Sequence, residues 1–395
     1  MPAQEGLGGW EEPSAFTLRG FGTLGLARST NGQAEMRRNL LQPRGISKHW
    51  SARGDSDFGL QLNYLASDTV EATAQVVSRY GSDGNFKPEL TELLVRYDPN
   101  AYFSLRGGRI CTEFFMHGDS HLIGYSQLAA RPNIDYISTL AVTYLDGADA
   151  QVTLPLGDGL LRGKLYYGFL GEKFPFLGSN PNSSLNLRGS RLIGTYLDYQ
   201  EGNWQWRGGM ARARFKHQLQ GLDDVQSALV GVGAASAARA LDLQGTEIRY
   251  DSIGVVYDRA PLRLQVMLGR LRFDSKVVQG QDSAMFQAGY RIGELTPFIA
   301  YSRLKSRRTH VATGLPDEGI GALVNAGMTS YLEQTFVDQH TVSLGLRWDF
   351  QRNMALKFQA DRIRGDADSR LPLARATSRW NGKTNIFTLA LDFVF

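Results

Sequence analysis

The last eleven residues, NIFTLALDFVF, alternate without a break. Phe387, Leu389, Leu391, Phe393 and Phe395 share one face, while Ile386, Thr388, Ala390, Asp392 and Val394 share the other. A period of two is the spacing of a strand with one apolar face. The pattern recurs in DFGLQLNYL, HTVSLGLRWDF and QRNMALKFQADRI. In a soluble sandwich the apolar face packs inward. In a membrane barrel it meets lipid, and the polar face lines a wet lumen. Alternation alone leaves both open.

Connection lengths separate them. Strand patterns fall near 16–27, 51–66, 70–80, 89–97, 101–110, 146–156, 160–170, 190–200, 203–215, 246–257, 261–274, 283–292, 295–306, 340–350, 353–364 and 384–395. That is sixteen, an even number. Every second connection is a tight turn, such as Asp98–Asn100, Glu201–Gly202 or Gln351–Arg352, and most of the others are long. Short turns at one end and long loops at the other describe an all-β transmembrane antiparallel barrel, with short periplasmic turns and long extracellular loops. Sixteen strands also enclose an aqueous channel. The expected organisation is a periplasmic N-terminal segment, 1–15, and one barrel, 16–395, although 395 residues alone would suggest two or three domains.

Composition agrees. Glycine is high at 44 residues and proline low at 13, as many strands and turns require. No uncharged run reaches the roughly 20 apolar residues of a spanning helix. Val225–Ala238 and Gly319–Leu332 are helix-prone stretches inside long outer loops. Residues 1–15 lack the basic start and apolar core of a signal peptide, so a mature exported chain is expected. The single cysteine, Cys111, excludes an internal disulfide. A net charge of +4 is too mild to argue for a nucleic-acid partner.

Aromatic residues cluster beside turns: Tyr64, Tyr97, Trp204, Trp206, Tyr257, Trp348, Phe350, Phe393 and Phe395. Amphipathic rings prefer the headgroup level, so two girdles are expected. With this pattern, the terminal Phe395 and the opening FTLRGFGTLGL, the whole chain resembles Gram-negative outer-membrane porins. The segment RGGRICTEFFMHGDSHLIGY, Arg106–Tyr125, is similar to the end of a porin's fifth strand running into its third loop. The resemblance implies a diffusion channel in the outer membrane, surrounded by lipid and lipopolysaccharide and often trimeric. It also implies a third loop folded into the lumen, and a terminal phenylalanine read by the barrel-assembly machinery. The small residues of Gly20–Gly25 would let neighbouring walls approach closely.

Sorting each strand by parity gives an inward basic set: Arg19, Arg53, Arg79, Arg96, Arg106, Arg162, Lys164, Arg207, Arg263, Arg291, Arg303, Lys305, Arg347 and Lys357. The inward acids are Asp55, Asp57, Glu71, Glu92, Asp149, Asp349, Asp361 and Asp392. The faces of 190–200, 203–215 and 246–257 are ambiguous, which leaves out Arg191, Arg212, Arg214 and Arg249. A basic excess would favour small anions such as carboxylates. Charges paired across strands would give a neutral wall instead. Tyr102 joins the expected pore lining. In the third loop, Glu113 and Asp119 are expected to face Arg106 and Arg109 across a constriction. Arg109 lies on the outward parity, so its part requires a bulge or a place above the bilayer. His117, His121 and Asp119 resemble a metal set only in composition, and no metal or cofactor is assigned. No nucleophile elbow, phosphate loop or zinc-protease helix occurs, so no enzyme is expected. A barrel plugged by its loops 111–145, 216–245 and 307–339, or a polymer exporter, are the alternatives.

Overall fold

The computed structural model describes residues 15–136, 142–176, 183–371 and 373–395. The expected N-terminal segment lies outside them, Ala15 excepted. The sixteen strands are β1 Phe16–Ser29, β2 Asp57–Ser67, β3 Val70–Arg79, β4 Pro88–Asn100, β5 Phe103–Cys111, β6 Tyr144–Leu156, β7 Gly159–Leu170 and β8 Arg191–Glu201, then β9 Trp204–Arg214, β10 Glu247–Arg259, β11 Leu262–Phe273, β12 Gln281–Tyr290, β13 Leu295–Ser306, β14 Asp338–Gln351, β15 Met354–Gly365 and β16 Lys383–Val394. They pair antiparallel with their neighbours, and β1 closes on β16 to complete one barrel. One boundary departs clearly from the sequence expectation. Residues 51–56 belong to the loop before β2, because Gly54 and the turn around it interrupt the alternation.

The terminal alternation fixes orientation. Phe387, Leu389, Leu391 and Phe393 point outward, while Thr384, Ile386, Thr388, Ala390 and Asp392 point inward and are buried. Exposed large apolar side chains recur around the exterior, among them Leu24, Leu62, Leu165, Leu197, Leu268, Leu344 and Phe358. An exposed apolar surface of this extent fits a hydrocarbon core and not water. Leu391→Arg therefore costs about 2–4 kcal/mol at the midplane and should block folding into vesicles, read as loss of the heat-resistant form on a gel. Native-like folding of that variant would refute the outward assignment. Thr388→Arg, on the other face of the same strand, is not a harmless control. Thr388 does face inward, but it is covered by the third loop and accepts a hydrogen bond from Arg131.

Aromatic rings gather at the short-turn end. Phe16 stacks on Tyr64 at 4.6 Å and Trp204 on Trp206 at 5.7 Å, and the Trp348 ring lies tilted beside Phe350 at 5.5 Å. The rings of Phe395 and Phe393 lie over Gly20 and Gly22, where any side chain would collide with them. The small stretch thus seats the chain terminus instead of baring the wall. The residues named from sequence make one girdle. At the long-loop end the outward positions are largely basic: Arg28, Arg212, Arg249, Arg272, Arg303 and Arg362 all share the lipid-facing parity.

The two helix-prone stretches do form helices in outer loops. The first is split into α1 Leu222–Gly231 and α2 Ala235–Ala240, and the second is α3 Gly319–Glu333. Leu222, which opens α1, and Leu219, Leu241 and Leu243, which flank the two helices, are fully buried. Each such leucine contributes roughly 1.5–3 kcal/mol to holding the loops on the barrel. Together with inward residues of β7–β12 they form one continuous apolar cluster. The interior is therefore polar in its short-turn half and apolar beneath the outer loops.

Candidate functional site

The third loop, described at 112–136 and 142–143, leaves β5 and folds into the barrel, as expected. Its first anchor is Glu113. One carboxylate oxygen accepts from Arg106 on β5 at 2.8 Å and from Lys164 on β7 at 2.6 Å. The other accepts from the Tyr196 hydroxyl on β8 at 2.6 Å. Arg106 also pairs with Asp149 on β6 at 2.6 Å. The cluster continues to Arg207 on β9, which pairs with Asp198 at 3.0 Å and lies 4.2 Å over the Tyr196 ring. Ser252 on β10 donates to the Phe114 carbonyl at 2.8 Å. Burial alone would raise the Glu113 carboxyl, but Lys164, Arg106 and its hydrogen bonds overcome this and hold it at about 2. A depressed carboxylate contributes stability above its unfolded value of about 4.3, and that contribution is lost as pH falls toward about 2. This anchor should thus persist in mild acid. Resistance of this loop to added protease should be unchanged between about pH 7 and 5, and a step in that range would contradict it.

The opposite wall holds the middle of the loop. Lys357 on β15 is fully buried, forms an ion pair with Asp392 at 2.8 Å, and donates to the Gly124 and Gln127 carbonyls at 2.8 and 2.6 Å. Arg347 on β14 donates to the Tyr125 and Gln127 carbonyls at 2.7 and 2.9 Å and pairs with Asp349 at 2.7 Å. Gly124 sits so near Thr23 and Asp392 that a methyl group there would strike both, which is why the loop has glycine at this point. Further along, Arg131 pairs with Asp55 at 2.8 Å, and Asp135 accepts from Ser302 and Gln339 at 2.6 Å each. The loop thus contacts the wall on both sides of the barrel.

The sequence expectations divide. Arg106, Glu113, Lys164, Arg347 and Lys357 come together through this loop. Arg19, Arg79, Arg96 and Arg162 face inward on β1, β3, β4 and β7, with Arg96 paired to Asp98 at 2.9 Å. Other positions need correction. Arg53 lies in the loop before β2, 5.5 Å over the Tyr80 ring, because β2 starts only at Asp57. Tyr102 occupies the tight turn between β4 and β5 and is 56% exposed. Arg109 points outward, with no bulge to turn it, and pairs with Asp146 at 2.7 Å across the Tyr144 ring. Asp119 is exposed and makes no ion pair among the described residues. Arg303, with Lys305, lies on the outward face of β13, where the inward positions are Phe298, Ala300, Ser302 and Leu304. Arg291 sits in a turn beyond β12. The basic excess read from parity shrinks with these reassignments, as Arg53, Arg291, Arg303 and Lys305 leave the basic set and Asp55, in the same loop as Arg53, leaves the acidic one.

His117 has a left-handed backbone, and its ring Nε2 lacks a partner. His121 bonds to the Gly118 carbonyl, and burial lowers its pKa to about 4. Among the described residues no three His, Cys, Asp or Glu side chains gather to hold a metal ion. Sequence reasoning missed Tyr196 and Asp198, whose strand had an ambiguous face, whereas Arg207 was read as inward and does face inward. A signal existed: Asp198 and Arg207 are direct partners in the hairpin closed by Glu201–Gly202, an opposed charge pair at equal distance from a turn.

No protein-family model matches the sequence, and no curated protein matches it. Solved structures do. The OmpF complex with daunomycin from Salmonella typhi is 12% identical, covers 96% of this chain and 97% of its own, and superposes with a TM-score of 0.57. In-vitro folded OmpT of Vibrio cholerae, an outer membrane protein in its trimer form, is 12% identical over 97% of this chain and 100% of that one, with a TM-score of 0.52. OprB of Pseudomonas putida is 9% identical over 96% and 94%, with a TM-score of 0.53. The chain has the sixteen-stranded fold of Gram-negative outer-membrane porins, and its apolar exterior fits it to that bilayer.

Proposed function

We propose that the chain is a passive outer-membrane channel for small hydrophilic solutes, with the third loop setting its narrowest passage. One observation carries this reading: a closed barrel whose short-turn half is lined by charged and polar side chains, with an ion-paired loop drawn across it. Most inward charges are paired, so selectivity is mild. Its sign is anionic on a narrow balance: the inward Arg19 and Arg162 have no ion-pair partner among the described residues and Arg263 has only Asp258 at 3.7 Å, against the inward Glu71 and Glu92, which also lack one. Such uncompensated guanidinium groups raise the local concentration of small carboxylates. No catalytic step belongs to this role.

The test is single-channel recording in planar bilayers under a salt gradient. Steady ohmic current with chloride preference is expected. A second reading has its own support: the loop is bonded to both walls, and outer loops fill the upper interior with apolar side chains. A loop-plugged barrel would give no steady current, and that outcome would replace the channel reading.

Three partners accompany the proposal. The outward basic residues at the long-loop end suit the phosphates of lipopolysaccharide. Phe395, tied to Gly20 by paired backbone hydrogen bonds of 2.8 and 2.9 Å, offers its ring to the barrel-assembly machinery. A homotrimer is the proposed assembly, by analogy with the trimer form of OmpT. A detergent-solubilised protein mass equal to one chain would argue against it.

A further inference from the structure

Inside the long-loop half of the barrel lies a cavity of about 100 Å³. Its sides are inward residues of β7 to β12, including Leu192, Ala213, Ile248 and Leu271. Phe114 of the third loop lines it from below, and outer-loop residues such as Phe174 and Phe176 lie over it. Among the described residues, every lining side chain is aliphatic or aromatic except Gln281. A hydrophilic solute has nothing to bind there. Tyr250 contributes its ring, because its hydroxyl is already committed to Tyr136 at 3.1 Å.

Gln281 is the informative residue. It is the first residue of β12, faces inward and is 3% exposed, yet its amide oxygen has no hydrogen-bond partner. A buried acceptor left unpaired is costly, and natural interiors rarely keep one without a use. A cavity of about 150 Å³ lined by aliphatic and aromatic residues binds benzene; at about 100 Å³ this void is smaller, so a single ring is the largest occupant it can take. We propose that this cavity is a binding site for a small one-ring molecule carrying one hydrogen-bond donor, of the phenol class. Its ring fills the void and its hydroxyl donates to Gln281 Oε1. This goes beyond the passage of hydrophilic solutes and holds whether or not the barrel conducts.

The probe is 4-fluorophenol, followed by fluorine NMR with the full-length barrel in nanodiscs. A saturable bound signal, displaced by unlabelled phenol, is expected. Ala213→Phe should abolish it by filling the void, and Gln281→Leu should weaken it about three- to tenfold, the worth of one neutral hydrogen bond. Fluorobenzene binding should be unchanged by Gln281→Leu. Each variant is first required to give the heat-resistant barrel form. Should a variant not fold, the displacement curve of the unaltered protein decides by itself. Signal that phenol cannot displace, or that survives Ala213→Phe, is partition into lipid and overturns the site. Equal affinity of the unaltered protein and the Gln281→Leu variant for 4-fluorophenol overturns the donor assignment.

Discussion

Asp392→Ala should destabilise the barrel by about 3–5 kcal/mol, the cost of leaving a buried charge without its partner. Lys357 and Asp392 are 2.8 Å apart with side chains 0% and 1% exposed. Asp392 also accepts from Thr23 at 2.6 Å, so the pair links β1, β15 and β16 at the seam where the barrel closes. Removing the carboxylate leaves the Lys357 ammonium facing loop carbonyls alone. Urea unfolding from vesicles measures the loss. The double variant Lys357→Met with Asp392→Leu removes both charges and should recover most of it, since apolar replacement of a buried pair is often neutral. It also removes the anchor on Gly124–Ala129, so its conductance should rise or become noisy although its stability returns. A loss under about 1 kcal/mol for Asp392→Ala would mean that water reaches this pair.

Arg106→Gln should move the reversal potential toward cation preference. Arg106 and Lys164 balance Glu113 and Asp149 in one contiguous cluster, so the change leaves one uncompensated negative charge beside the loop. The shift should fade as the Debye length falls from about 10 Å at 0.1 M salt to about 3 Å at 1 M. Arg96→Gln is the comparison. Arg96 pairs with Asp98 near the short-turn rim, where both side chains are well exposed to solvent, and its replacement should change selectivity little. Equal shifts from both variants would place the selective point at the rim and not at the third loop.

The periodicity of NIFTLALDFVF determined a strand, its two faces and an aromatic terminus, because these depend only on the pleat and on neighbouring residues. Turn residues between such runs determined which connections are tight and therefore the two unequal ends of the barrel. Glu113 and Arg106 were legible as partners for the same reason: a charged loop directly follows an inward arginine. The face of β13 was not legible. LTPFIAYSRLKS has apolar residues on both parities, and Arg303 reads as lumenal only if the interior is polar throughout. Tertiary packing decided otherwise. The outer loops bring Leu219, Leu222 and Leu243 into one apolar cluster with Leu304, and Phe298 lies over Gly345 nearer the short turn, so both turn inward and the arginine is left outside. Which wall the third loop meets was likewise a tertiary matter. Lys357 is one lysine in an alternating strand until residues more than two hundred positions away place their carbonyls over it. Local spacing sets which way a side chain points relative to its neighbours, whereas what it points at depends on chain segments that only the closed barrel brings together.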